Sequence, residues 1–285
     1  MKFEPVIKWT GSKRAQTSSI IQRFPKQIDT YYEPFCGGAS VLRALLELQK
    51  GLFCPIKVNN FICSDINYDL INLWNFIKTK PKEVSAHYVK LWNELNTTNK
   101  SLCEKRDYFN AIRDRYNKEH NPLDFMFIMR TVTNGMPRYN SNGEFNNTFH
   151  ITRDGIIPET LTKIINEWSY ILNKYNVQFI CCDYTKINPT SKDFLYLDPP
   201  YANTKGIYYG GIDLNKFWDY LRAVNCGYVL SFDGISGAKD NTYSVPKDIY
   251  DEHIYTESGN SSFKRVLCKS NDSIVHESLY IKRSK

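Results

Sequence analysis

The sequence predicts an α/β protein on a doubly wound sheet, with a mainly helical segment inserted between the two halves of that sheet. Strand and helix patterns alternate from residue 30 to 79, and the same alternation restarts at 177. The stretch from 80 to 175 has a different character, rich in charge and helical spacing. Alternating strands and helices are the sign of a parallel sheet covered by helices on its faces.

Thr30–Phe35 (TYYEPF) reads as a strand running into a turn. Residues 38–50 read as a helix, because Val41, Leu42, Leu45, Leu46 and Leu48 recur at helical spacing and Gly51 fits its stop. Asn59–Asp65 (NNFICSD) reads as a buried strand with a polar tip, and 68–79 as a second helix ended by Pro81. In the inserted region, 102–120 has a helical pattern and 130–150 is polar and turn-rich, with a hairpin-turn signal at Asn142-Gly143. VQFICCD (177–183), DFLYLD (193–198) and CGYVLSFD (226–233) read as buried strands, and 213–224 as a helix between the last two. SFKRVLCKS (262–270) and IVHESLYIKR (274–283) read as paired strands joined at Asn271-Asp272. The expected division is therefore a sheet domain of residues 1–79 and 176–285 and an insertion of 80–175.

The 285 residues carry a formal charge of +7 and 14% aromatic side chains, which suits a polyanionic partner without proving one. No apolar run is long enough to cross a membrane and the first residues lack a secretory apolar core, so a cytoplasmic location is expected. The eight cysteines are scattered with no CxxC pair, which reads as reduced thiols, and the scattered histidines make a zinc site an unlikely expectation.

Four motifs carry chemistry. Asp198-Pro199-Pro200-Tyr201 ends an apolar strand, where open α/β sheets put their ligands. An acid and a stiff backbone carbonyl can accept the two N–H bonds of a weakly nucleophilic exocyclic amine, and an aromatic ring can stack on a base that has left its duplex. The competing reading is a strand ended by two prolines. Glu33-Pro34-Phe35-Cys36-Gly37-Gly38-Ala39 lies at the first strand-to-helix turn, where glycine lets backbone approach a ligand. It lacks the dinucleotide fingerprint, so an NAD-dependent oxidoreductase is disfavoured. Ser64-Asp65-Ile66-Asn67 follows the next strand, either as an acid for ribose hydroxyls or as a helix cap. Lys8-Trp9-Thr10-Gly11-Ser12-Lys13 is basic and, by itself, reads as a solvated N-terminal stretch around one packed tryptophan.

These motifs, in this order and together with RYNSNGEFN (138–146), resemble the Dam family of DNA adenine N6-methyltransferases over nearly the whole chain. The resemblance implies a mixed seven-stranded sheet of the class I methyltransferase, Rossmann-like kind and an inserted target-recognition domain carrying a β-hairpin. It implies S-adenosylmethionine as cofactor, S-adenosylhomocysteine as product, and no metal. Trp9 and Lys13 would help hold the cofactor, Glu33, Phe35, Cys36, Gly37 and Gly38 would cradle it, and Asp65 with Ile66 would meet its ribose side. Asp183 and Tyr184 resemble a further cofactor-lining position. Asp198, Pro199, Pro200 and Tyr201 would be catalytic, with Asp198 also near the methionine part of the cofactor. Ser12, Cys36 and Ser40 vary the pattern mildly. Residues 146–150 depart from the proline-containing hairpin end that is more common, which bears on the target sequence.

The partner implied is double-stranded DNA, with a cognate restriction endonuclease as a further candidate and no membrane. Arg130, Asn134, Arg138, Tyr139, Asn140 and Asn146 are the candidate DNA contacts. Arg138 is the favoured base contact, and Arg130 is either a phosphate contact or a structural support. The rival readings are methylation of RNA adenine or of cytosine N4, and a DNA-binding relative without catalysis.

Overall fold

The computed structural model describes residues 4–51, 53–200, 211–236, 239–240, 242, 244–260 and 274–284. Tyr201, the expected strand 262–270 and its turn at 271–272 lie outside the described residues. In chain order the elements are α1 (Thr17–Ile21), β1 (Gln27–Glu33), α2 (Ser40–Leu48), β2 (Lys57–Asp65), α3 (Tyr68–Thr79), α4 (Pro81–Leu95), α5 (Leu102–Glu119), α6 (Pro122–Thr131), α7 (Pro158–Lys174), β3 (Gln178–Cys181), β4 (Phe194–Leu197), α8 (Leu214–Ala223), β5 (Gly227–Ser236), β6 (Lys239–Asp240), β7 (Glu252–Asn260) and β8 (Ile274–Lys282).

The chain packs as two compact units. One holds residues 13–64, 182–200 and the described residues from 211 onward; the other holds 4–12 and 65–181. Among the described residues the chain passes between these units at 12–13, 64–65 and 181–182. Trp74 on α3 is fully buried, stacks on Phe179 of β3 at 5.1 Å and lies 4.8 Å from Trp168 of α7. That cluster ties α3 and β3 to the helices that follow α3.

The first unit is a mixed seven-stranded sheet. β2, β1, β4 and β5 lie side by side in parallel, β8 and then β7 continue antiparallel, and β6 pairs back on β5. Every residue of β4 is buried, as expected for a central parallel strand covered on both faces. Its core is built from Leu195, Leu197, Leu230 and Phe232 of the strands against Phe217, Trp218 and Leu221, the apolar stripe of α8. Asp213 caps α8, accepting from the N–H groups of Asn215 and Lys216. β8 lies where IVHESLYIKR was expected, and its described partners are β5 and β7.

A β-bulge interrupts the pairing of β5 with β8 between Phe232 and Ile235. Gly234 sits in that bulge. A Cβ there would collide with the carbonyl oxygen of His276 and lie 2.8 Å from Glu277 Cα. The missing side chain lets the β8 backbone close on the bulge, and bulges re-aim side chains beside functional sites.

The second unit is mainly helical. Asn67 caps α3 by accepting from the Leu70 N–H. Pro81 occupies the first turn of α4, so it opens a new helix as well as ending the old one. Ser101 and Glu104 form a reciprocal capping box at the start of α5. The N-terminal segment belongs to this unit: Trp168 Nε1 donates to the Glu4 carbonyl, Arg130 Nη1 to the Pro5 carbonyl and the Thr10 N–H to the Gly135 carbonyl. Among the described residues no helix is long and apolar enough to cross a membrane.

Candidate active site

Asp198 follows directly on β4, at the carboxyl end of a buried strand. Its Oδ1 lies 3.0 Å from Lys13 Nζ, and the same ammonium lies 3.3 Å from Glu277 Oε2. Lys13 is 4% exposed, whereas the Asp198 side chain keeps 20% of its surface open. A buried ammonium is tolerable only when opposite charge compensates its desolvation. Burial works against the Lys13 charge, but the carboxylates of Asp198 and Glu277 outweigh it and hold its pKa above the ordinary lysine value. Burial pushes the Asp198 carboxyl up to about 6, while the adjacent Lys13 charge acts in the opposite direction. The Lys13 backbone is fixed as well, its N–H donating to Ser40 Oγ at the start of α2. Beneath Asp198 on β4, the Tyr196 hydroxyl bonds to Ser231 of β5 at 2.9 Å.

The glycine turn follows β1. Gly37 (φ 43°) and Ala39 (φ 51°) are left-handed, and the Cys36 N–H donates to the Ser64 carbonyl. Glycine takes the left-handed region without the steric cost a side chain brings. Glu33 is 3% exposed and turns inward, its Oε2 accepting from the Tyr31 hydroxyl at 2.7 Å and from the Leu42 N–H at 2.9 Å. Its carboxylate thus braces the turn against α2, and burial pushes its pKa up to about 8. Phe35 meets Tyr184 with ring centroids 5.5 Å apart, and Phe217 packs on both. Asp183 caps the short turn at Tyr184, accepting from the Thr185 N–H.

In the helical unit, Asp65 ends β2 and accepts the Asn67 N–H at 3.0 Å, while Ile66 is 56% exposed. Trp9 and Asn134 are half-buried, and Asn134 is left-handed at φ 59°. The Asn142-Gly143 signal marks a tight loop in which the Asn140 N–H donates to the Glu144 carbonyl and the Asn146 N–H to the Arg138 carbonyl. Arg138 is exposed, with Nε on Asn146 Oδ1 at 2.9 Å and Nη2 on the Asn146 carbonyl at 3.2 Å. Tyr139 is half-buried and its hydroxyl accepts from Asn67 Nδ2 at 3.1 Å. Asn117 of α5 clamps the loop from behind, exchanging bonds with the Phe145 N–H and carbonyl. Arg130 points into the helical unit rather than out of it, bonded to the Pro5 carbonyl. A groove of about 780 Å³ in this unit, between α4 and α7, is lined by none of the motif residues.

The structure thus joins Lys13 to Asp198, Phe35 to Tyr184, and Asn67 to Tyr139. Sequence reading missed two participants, Glu277 and Asn67. Glu277 stands in an ordinary strand pattern near the end of the chain; the helix-cap alternative falls by sequence at Ser64 or Asp65, whereas the cap of α3 is Asn67.

Residues 9–225 match the model of the D12 class N6 adenine-specific DNA methyltransferase family. The chain belongs to this family. Among similar D12 relatives, the type II methyltransferase M.FokI of Planomicrobium okeanokoites is 29% identical over 222 residues, which is 76% of this chain and 32% of that protein. The DNA adenine methylase of Haemophilus influenzae is 31% identical over 211 residues, 71% of this chain and 65% of the relative. The modification methylase StsI of Streptococcus sanguinis is 28% identical over 289 residues, 90% of this chain and 40% of the relative. The chain spans about a third of the first relative's length and just under two thirds of the second's.

Proposed function

We propose that this chain is a site-specific DNA adenine N6-methyltransferase that uses S-adenosylmethionine to methylate an adenine flipped out of duplex DNA. The observation that carries the reading is Asp198, a partly open carboxylate at the carboxyl end of the central strand, held by a buried lysine. Family membership supports adenine over cytosine as the target.

The residues present fit the cofactor. The left-handed turn at Gly37 and the adjacent Phe35–Tyr184 wall supply backbone and ring surface of the kinds S-adenosylmethionine needs. Lys13, Phe35, Cys36, Gly37, Gly38, Asp65, Ile66, Asp183, Tyr184 and Trp9 would hold it, with Glu33 bracing the turn from within. When bound, it supplies a methyl group activated on a sulfonium.

Asp198 accepts one N–H of the target amine and the Pro199 carbonyl accepts the other, which localises the nitrogen lone pair. Tyr201 stacks on the extruded base. Positioning and fixed charge carry most of the rate. The loop 138–146 reads DNA, with Arg138 as a base contact and Tyr139, Asn140 and Asn146 beside it. The buried carbonyl bond of Arg130 supports its structural role over a phosphate contact. A restriction endonuclease acting on the same site is a further partner, in keeping with relatives named as type II and modification methylases.

The test is transfer of labelled methyl groups from S-adenosylmethionine to duplex DNA and to RNA, followed by nucleoside analysis. N6-methyladenine from DNA is expected, and Asp198→Ala should abolish it while the fold survives. Near-normal turnover by that variant overturns the reading.

A further inference from the structure

Glu277 is a half-buried carboxylate that the proposed reaction does not use. It lies on β8, outside the residues that match the family model. Its Oε2 nevertheless stands 3.3 Å from the ammonium that Lys13 also presents to Asp198 at 3.0 Å. The Glu277 contact is an ion pair without hydrogen-bond geometry, and among the described residues Oε2 has no hydrogen-bond partner. Beside it, the β5 bulge at Gly234 lets the β8 backbone at His276 and Glu277 approach closely, because a side chain at 234 would clash with both.

We propose that Glu277 is a positioning residue for methyl transfer: it anchors Lys13 beside Asp198 and leaves the three groups with a net charge of −1. The inference rests on the reading of Asp198 as the amine acceptor. Lys13 contributes one positive charge and two ionised carboxylates contribute two negative ones. With one carboxylate the group would be neutral. The cofactor is cationic at its sulfonium, and on transfer the S–CH3 bond breaks with its electron pair left on sulfur. The product is therefore a neutral thioether, while the target nitrogen gains the methyl and its displaced proton passes by way of Asp198 to solvent, which restores the group's charge of −1. A site one unit negative favours the substrate form over the product form, which speeds product release as well as binding the donor. A neutral site would favour neither.

Among the described residues, the titratable groups that act on Asp198 or feel its charge are Lys13, Glu277, Tyr196 and Glu33. Of these, Glu277 adds to the effect of burial in raising the Asp198 carboxyl, and Lys13 opposes it. If Asp198 must be ionised to accept the amine, activity falls as pH drops through its pKa. Removing the Glu277 charge should then move that acidic limb to lower pH.

The experiment uses the full chain and Glu277→Gln, which keeps the side-chain shape. Calorimetry measures the affinities of S-adenosylmethionine and S-adenosylhomocysteine, and single-turnover rates are taken across pH. The expected result is a roughly tenfold weaker hold on the sulfonium form, from loss of one charge in a medium of intermediate dielectric. Affinity for the thioether should stay within about twofold on the same argument, and the acidic limb should move down. Equal weakening of both ligands, or no change in either, overturns the inference, because a merely structural glutamate would not separate them. Should Glu277→Gln unfold, Glu277→Asp keeps the charge with a shorter reach. The ratio of the two affinities should then persist while turnover falls, and collapse of the ratio with the charge retained overturns the inference. Asp198→Asn separates this failure from failure of the underlying reading. If Asp198→Asn still transfers methyl groups, the catalytic assignment falls. If it does not, and Glu277→Gln behaves as the parent does, only the role of Glu277 falls.

Discussion

Glu33→Gln isolates a single buried proton. Burial raises the Glu33 carboxyl to about 8 from an ordinary value of 4.5, even though bonds from Tyr31 and the Leu42 N–H favour its charged form. Between those two values the folded chain keeps a proton that the unfolded chain has released. Stability that is complete below 4.5 is therefore lost as pH rises toward and through 8. One retained proton corresponds to a slope of about 1.4 kcal/mol per pH unit, so the cost between pH 5 and 7 approaches roughly 3 kcal/mol. Solvent screening takes little from this figure, because Glu33 is 3% exposed. Glutamine imitates the protonated acid, since its one carbonyl oxygen can accept both bonds that Glu33 Oε2 accepts. Urea denaturation of both proteins from pH 5 to pH 9 should find them alike at the acid end. The variant should become progressively more stable as pH rises. Other titrating groups cancel in the difference. Two curves that stay parallel across this range would mean that Glu33 is ionised in the fold, and the account of the brace would be wrong.

Three further outcomes follow from the site. Asp65→Ala removes a carboxylate whose charge-assisted bonds are worth about 1.5–3 kcal/mol each, so calorimetry should find S-adenosylmethionine bound roughly 10- to 150-fold more weakly. Unchanged affinity would leave Asp65 as no more than the acceptor for the Asn67 N–H. Arg138→Ala should cost about 1–3 kcal/mol at one base pair and relax discrimination there. Binding to every single-base variant of the site over a salt series checks this, and unchanged discrimination would point to α4 and α5 instead. Asn67→Ser keeps an oxygen to cap α3 but loses the amide that donates to the Tyr139 hydroxyl. It should cost about 1 kcal/mol, and in a double-mutant cycle with Tyr139→Phe the two losses should be less than additive. Strict additivity would show that the bond carries nothing.

The sheet and the helices of the motif regions were legible because their residues encode them locally. The apolar runs at 59–65, 193–198 and 226–233 became β2, β4 and β5, and the helix expected at 68–79 is α3 to the residue. β7 was not legible. Its sequence EHIYTESGN is polar and carries a glycine, and only pairing along β8 makes it a strand. The packing boundary at 65 was hidden for a similar reason, since it depends on Trp74 meeting Trp168, which stands 94 positions further along the chain. At the site, Asp198 and the glycine turn could be read from their places at strand ends. That Lys13 reaches Asp198 could not, because the two are far apart in sequence and only the fold brings them into direct contact. Glu33 shows the opposite limit. Its motif position suggested a cradle for a ligand, and its side chain turns inward to hold the helix that follows.

The crossings of the chain between its two packing units, at residues 12–13, 64–65 and 181–182, bear on how such proteins exchange specificity. Neither unit is one continuous stretch of gene. A cassette of residues 80–175 moved between relatives would carry the loop at 138–146 but leave behind α3, β3 and the segment 4–12. It would thereby separate Trp168 from Trp74, Arg130 from the Pro5 carbonyl, and Tyr139 from Asn67. A graft that keeps those partners together has to bring two separate pieces of sequence, 4–12 and 65–181. Exchange at a single pair of breakpoints within this stretch would therefore break contacts that hold the helical unit together.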